Sequence, residues 1–377
     1  MKLSLAGFLL TVIPGTAVAQ AAPTQWHLSA QPTLIIGGEG NPRTRLLRVG
    51  RVMRLPGGEI VVPNAGTNEI RIFDKTGRFL RALGRAGAGP GEFKSLLLVD
   101  RTGDTLFLAD RVNRRITLFA VDGTLLATTP VVARDAFGAF SVVGRLRNGR
   151  WLVRTTSSPS LSGPQRTFRD TARIGALDPD ASSAVTWLTW IPGTTYFVHN
   201  PANGPEGDVA AVVPLSPAAM AVALGNDVVI GDSQDKVIGA YADTGAVLRL
   251  ITLPLEPHPL TDQKIAQLRT RALHQNPAVR SRPWLTALYS RDVMGRTPVV
   301  FGDLVGAADG SLWIQAGPAD PTESATWLVL DAAGKPRATL VTPVGFRITE
   351  VGARYVLGVH TDADGMETVR LYQLTPQ

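Results

Sequence analysis

The feature that most restricts the fold is a repeat. The stretch Asp104 to Leu126, DTLFLADRVNRRITLFAVDGTLL, carries two apolar runs of alternating pattern, a polar turn between them, and a VDG turn before a third run. Displaced back by 46 residues the design returns: Ile60 falls on Leu106, Val62 on Leu108, Asn64 on Asp110, Ile70 on Ile116, Phe73 on Phe119 and Gly77 on Gly123. Displaced forward by 122 residues it returns through Val228, Ile230, Asp232, Ile238, Tyr241 and Gly245. A repeat of ~40–50 residues built from strand signals alone specifies an all-β ring of four-stranded blades, a β-propeller.

Dividing the chain on this register gives blade one at 47–54, 58–64, 69–74 and 78–84, and blade two at 95–101, 104–110, 114–120 and 124–131. Blade three runs through FSVVGRL, RWLVRTT, ARIGAL and SAVTWLTW; blade four through AAMAVAL, DVVIGD, KVIGAYA and AVLRLITL; blade five through DLVGAA, SLWIQA, TWLVLD and ATLVT. The C-terminus supplies only three strands, Phe346 to Val351, Tyr355 to Val359 and Thr368 to Leu374. The isolated strand Thr33 to Gly37 completes a sixth blade, so strands from both chain ends close the ring and leave it no open edge. Gly in KTG, VDG and DTG supplies the positive φ that a tight hairpin needs. Asn64, Asp110 and Asp232 end second strands, where short polar side chains bond amides of the following turn.

Residues 1–19 stand apart. Lys2, the apolar run Leu3 to Ile13 and the A-x-A site Ala17-Val18-Ala19 form a secretory signal peptide, which leaves 20–377 as a single propeller domain that is exported to the periplasm or outside the cell. No stretch reaches the ~18 apolar residues of a membrane span, so no transmembrane anchor is expected. The chain has no cysteine, hence no disulfide and no lipid-modified N-terminal Cys. Removing the leader takes one lysine and no acid, so the net charge falls from +7 to +6.

The segments GPGEF (89–93), LFLADRVNRRITLF (106–119) and GMETVRLYQL (365–374) resemble six-bladed propellers of the NHL-repeat type and their exported bacterial relatives. That resemblance implies one of several roles: an amidating lyase with zinc held by three His near the channel, a lactonase-like enzyme, or a non-catalytic interaction domain. The segment after GPGEF reads KSLLLVD and lacks the lyase's His.

Loop lengths single out a working face. Turns between first and second strands, and between third and fourth, are short and share one face of a propeller. The long segments 156–170, 191–208, 254–299, 317–324 and 360–366 all belong to the other face, and scaffolds carry function on elaborated loops. The largest, the insertion 254–299 between blades four and five, has Thr261 placed to cap a helix bearing Ile265, Leu268 and Leu273, with a second helix around Trp284 to Tyr289. Between 264 and 296 there are seven basic residues and the single acid Asp292, a local +6 equal to the whole mature excess. An anion-attracting patch follows. Its candidate partner-binding residues are Arg269, Arg271, Arg280, Arg282 and Trp284, with Arg114 from the turn of blade two.

Other signals give less. GRAGAGPG lacks the Lys-Ser/Thr of a phosphate-binding loop, DADGME lacks the far acid of a calcium loop, and the five His show no metal spacing. The tryptophans at 187, 190, 313 and 327 fall in strands and are expected in the core, and few acids sit in first strands. The expectation is a monomeric, non-enzymatic binding propeller, without catalytic residues, metal or cofactor, for a protein, peptide or polyanionic partner and not for nucleic acid. The alternative is a metal-assisted hydrolase or lyase at the channel mouth.

Overall fold

A computed structural model describes residues 23–38, 41–132, 139–157, 165–181, 184–199, 209–275, 283–295 and 298–376. The leader 1–19 lies outside them. Six sheets follow one another along the chain, the strands of each blade pairing antiparallel in sequence order except that N-terminal strands join the outer edges of the fifth and sixth, and the chain folds as a six-bladed β-propeller. In blade two, Leu96–Thr102, Thr105–Asp110, Arg115–Ala120 and Leu125–Pro130 pair in turn.

The core consists of the layers between blades. Blades one and two meet through Val61, Ile70, Leu83, Leu106 and Phe119, blades two and three through Phe107, Ile116, Trp151 and Val153, and blades three and four through Leu152, Ile174, Val228 and Ile230. The series continues through Ile238, Phe301 and Ile314, then Trp313, Trp327, Val356 and Tyr372. It returns to its start where Leu357, Val359 and Val369 of blade six pack on Ile60, Val62 and Phe73 of blade one. Alternation explains this arrangement: successive side chains of a strand face opposite neighbours, so each second strand feeds two interfaces.

Closure is made on both sides of the seam. Outside, Leu34–Ile36 pairs antiparallel with the last strand, Ile36 opposite Val369 and Leu34 opposite Leu371. Gly77 of blade one has φ +88°, and a Cβ there would meet Ile35 O at 3.2 Å, so glycine lets blade one lie against the closing strand. Inside, the first strand of blade one is regular only over Met53–Arg54, and side chains of blade six bond the backbone this leaves free. Arg347 Nη2 donates to Val49 O (3.0 Å), Thr349 Oγ1 to Val52 O (3.1 Å), and Glu350 Oε2 accepts from Arg54 N (3.1 Å). An addition to the expected closure lies upstream. Thr24–Gln25 runs parallel to Pro336–Thr342 of blade five and His27–Leu28 pairs with the end of blade six, with Trp26 buried against Trp313 between them.

The strand-ending polar residues do more than cap a turn. Asp110 accepts from Val112 N and Asn113 N of its turn and also from Lys94 N and Ser95 N at the entry to its own blade. Asn64 likewise accepts from Leu47 N. Trp313 and Trp327 are fully buried as expected, and Trp187 is half-buried against the blade-two interface. Trp190 departs from the expected core position. It is 64% exposed on the outer strand of blade three, where the Arg173 guanidinium stacks over both Trp190 (4.6 Å) and Trp187 (4.0 Å).

Candidate functional site

The two faces differ as the loop lengths require, although part of the elaboration is strand. Residues 166–171 and 191–199 belong to Arg166–Leu177 and Thr186–His199, a long hairpin that rises past the body of blade three and takes up a fifth strand, Val209–Val212. The sequence pattern hid this because Arg166, Thr167, Phe168 and Arg169 do not alternate apolar with polar. Segment 360–366 is also shorter than expected: pairing runs to Thr361 and Glu367, and Asp362 Oδ1 closes the turn by accepting from Asp364 N and Met366 N.

The extended hairpin is the seat of the insertion. Helix α1, Asp262–Gln275, starts at Thr261, whose Oγ1 accepts from Lys264 N (3.2 Å). Helices α2, Pro283–Leu288, and α3, Arg291–Met294, follow. Ile265, Leu285, Leu288 and Met294 bury against Phe197 and Val213 from the blade-three extension, with Leu268 and Leu273 at the margin. At its other edge Lys264 Nζ pairs with the buried Asp320 carboxylate and with Glu323 (2.6 Å), both in the loop 317–324 of blade five. Burial opposes the charge on Lys264, and these two carboxylates outweigh it and raise its pKa. The insertion thus bridges blades three and five over blade four, and Lys264 serves as its clamp.

The predicted site residues fall in two places. Arg269 is exposed on α1 and donates to Thr286 Oγ1 of α2 (3.2 Å). Arg271 borders an open depression with Gln263, Gln267, Thr270 and His274. Trp284 is half-buried in the apolar seam of the insertion. Arg280 and Arg282 lie outside the described residues. Of the other cations counted there, Lys264 and Arg291 are held internally, the latter by Asp262 (3.4 Å).

Arg114 stands apart from these, on a cavity of about 280 Å³ that opens on the loop face between blades two and three. Leu96, Leu97, Ala109, Val131, Phe140 and Val142 form its apolar wall, and Ser95, Ser141, Arg111 and Arg114 add polar groups. Small side chains make the room. Ser141 pairs with Arg154 next to the bulge at Val143, and the corresponding place in blade six holds Arg347. Arg114 takes the left-handed φ of 48° that the four-residue turn demands, and its guanidinium reaches over the Phe140 ring at 5.9 Å. Sequence reasoning named Arg114 without seeing this cavity, because its walls come from two blades.

The central channel holds acids that the sequence reading understated. Asp100, Asp303 and Glu350 all lie on first strands. Burial raises the pKa of Asp100 and of Glu350, and Tyr355 Oη donates to Glu350 Oε1 at 2.5 Å. Burial pushes the Asp303 carboxyl up to about 6, opposed by the Leu304 amide (2.8 Å) and by Arg347 of the next blade. Among the described residues no three His, Asp or Glu side chains gather closely enough to hold a metal ion. No helix among them is long and apolar enough to cross a membrane.

Comparison with known proteins agrees with this architecture. The family model of the 6-bladed beta-propeller, DUF5128, matches residues 43–136. No curated protein matches the chain. A structure whose name calls it an exported protein of Bacteroides fragilis aligns with a TM-score of 0.53 and 12% identity, covering 93% of this chain and 95% of its own. A DUF4221 family member from Bacteroides vulgatus aligns with a TM-score of 0.50 and 10% identity, over 94% and 100% of the two chains. A streptogramin B lyase is similar at a TM-score of 0.40 and 15% identity, over 87% and 84%. Likeness at such identities is one of fold.

Proposed function

We propose that this is an exported binding propeller that engages an anionic protein or peptide through its loop face. The observation that carries the reading is the one-sided elaboration: the blade-three extension, the insertion and the blade-two cavity all lie on that face, and the insertion and the cavity present exposed arginine, Arg269 in the one and Arg111 and Arg114 in the other. Short turns of the D-x-x-G kind occupy the opposite face, and their carboxylates are spent within the turn, as when Asp74 accepts from Thr76 N and Arg78 N. Export rests on the leader pattern of residues 1–19, and a propeller of the same fold from Bacteroides fragilis carries the word exported in its name.

The test uses a fluorescent poly-glutamate peptide as probe, with anisotropy read at low and at physiological salt. Wild-type protein should bind it in a salt-dependent manner. Replacing Arg269, Arg271, Arg280 and Arg282 together by Gln should weaken binding roughly tenfold or more, since exposed charges each contribute a few tenths to ~1 kcal/mol. Absence of binding by the wild-type chain, or equal binding by the quadruple variant, would overturn the proposal.

A further inference from the structure

We infer that the cavity between blades two and three is a binding site for a small apolar carboxylate, a ligand with one aromatic or branched aliphatic group and one carboxylate head. The inference rests on the reading of the loop face as the binding face, and it names what one site on that face takes.

Size sets the first limit. At about 280 Å³ the cavity lies just below the usual range of ligand pockets, ~300–1,000 Å³, so it holds one apolar group rather than a chain of them. Its wall of Leu96, Leu97, Ala109, Val131, Phe140 and Val142 offers an apolar moiety contact on several sides.

Charge sets the second limit. Arg111 and Arg114 are exposed at the cavity and have no ion-pair partner among the described residues. Arg115 is fixed by carbonyl oxygens of Ala88, Gly89 and Glu92, which hold its guanidinium in place without cancelling its charge. Among the described residues the one carboxylate in the wall, Asp110, already accepts from four backbone amides and from Asn113 Nδ2 (2.7 Å). Among the described residues three guanidinium groups therefore stand against one saturated acid, a balance that favours an anion.

The donors present choose the head group. The backbone amides that would cradle a phosphate here, those of Lys94, Ser95, Val112 and Asn113, all point at Asp110. Guanidinium remains as the free donor, and its planar fork matches a carboxylate in a bidentate pair. The hydroxyls of Ser95 and Ser141 line the same space.

Two sources present this chemistry, a free acid and the C-terminus of a peptide ending in an apolar residue. Calorimetric titration of the mature chain with 3-phenylpropionate, 3-phenylpropan-1-ol, Gly-Phe and Gly-Phe amide separates them. The acid should bind roughly tenfold or more tightly than the alcohol, the worth of one charge-assisted hydrogen bond. Gly-Phe binding without amide binding assigns the site to peptide C-termini; binding of 3-phenylpropionate alone assigns it to free acids. Arg111→Gln, at an exposed side chain, should remove most of the preference for the acid, and Ser141→Leu should fill the space and abolish binding while the melting temperature holds. Equal affinity for acid and alcohol, no binding of either acid, or an Arg111→Gln variant that keeps the preference would overturn the inference. Arg269→Gln with Arg271→Gln should leave these titrations unchanged. If poly-glutamate binds and the acids do not, the cavity assignment fails while the loop-face reading stands; the reverse result rejects the polyanion reading and keeps the cavity.

Discussion

Asp303 offers a test of the channel that needs no ligand. Its carboxyl is pushed up to about 6 by burial, against an ordinary 3.8, with the Leu304 amide and Arg347 on the other side of the balance. The sign follows from linkage: a carboxylate whose folded pKa lies above its unfolded value binds more protons folded than unfolded. Folding stability is then full below pH ~4 and falls as the pH rises toward 6, above which the loss is constant. A shift of roughly two pH units corresponds to about 3 kcal/mol at most. Asp303→Asn keeps the oxygen that accepts from Leu304 N and removes the charge. With an unfolding entropy of ~2.1 cal/mol/K per residue, a domain of this length should melt about 4 °C higher as the variant at pH 8 and within about 1 °C of wild type at pH 4. Paired melting curves across pH 4 to 8 read this out, because every other titrating group is common to both proteins and cancels in the difference. A gain that does not grow with pH, or a loss at pH 8, would refute the burial argument and mean that Arg347 compensates the charge in full.

Two further outcomes follow from the packing. Ile36→Ala empties a buried site between the closing strand and blade one and should cost about 2–5 kcal/mol, read as a lowered urea midpoint; no change would mean that the seam is held from the inside alone. Lys264→Met leaves Asp320 buried without its cation and should speed amide exchange over Asp262–Gln275 while Thr105–Asp110 keeps its protection; unaltered exchange in the helix would show that apolar contact with Phe197 suffices to hold it.

How much of this was legible in the sequence depended on range. The blades were legible because their signal is local: Leu106, Leu108, Ile116 and Phe119 alternate, and Gly123 sets the hairpin. The seam was legible by counting, since three C-terminal strands needed a fourth and Leu34–Ile36 supplied it. Pairing of Thr24–Gln25 with blade five was not, because two residues carry no period. The blade-three extension was missed for a related reason: Arg166 to Arg169 and Thr195 to Val198 pair with each other beyond the blade interfaces, and the face they bury is covered by the insertion rather than by a neighbouring blade, so the blade period does not mark it. The candidate site divided in the same way. Arg269 and Arg271 could be seen as a charge run, whereas the cavity at Arg114 depends on Ser141 and Ala109, small residues 32 positions apart that only the ring brings together.

That division bears on where function sits. A ring of six blades has six equivalent interfaces, and stability alone would fill each to the same density. Larger side chains at the places of Ser141 and Ala109 would close the blade-two interface; the corresponding register of blade six holds Arg347 and Val359. Leaving that volume open gives up contact energy, and the guanidinium groups beside it share one described acid, Asp110, whose oxygens are already taken by amides. Departures from local consistency of this kind concentrate at functional sites. The repeat therefore explains why the molecule stands, and the blade-two interface, whose open volume departs from the repeat, is the place we propose for a ligand.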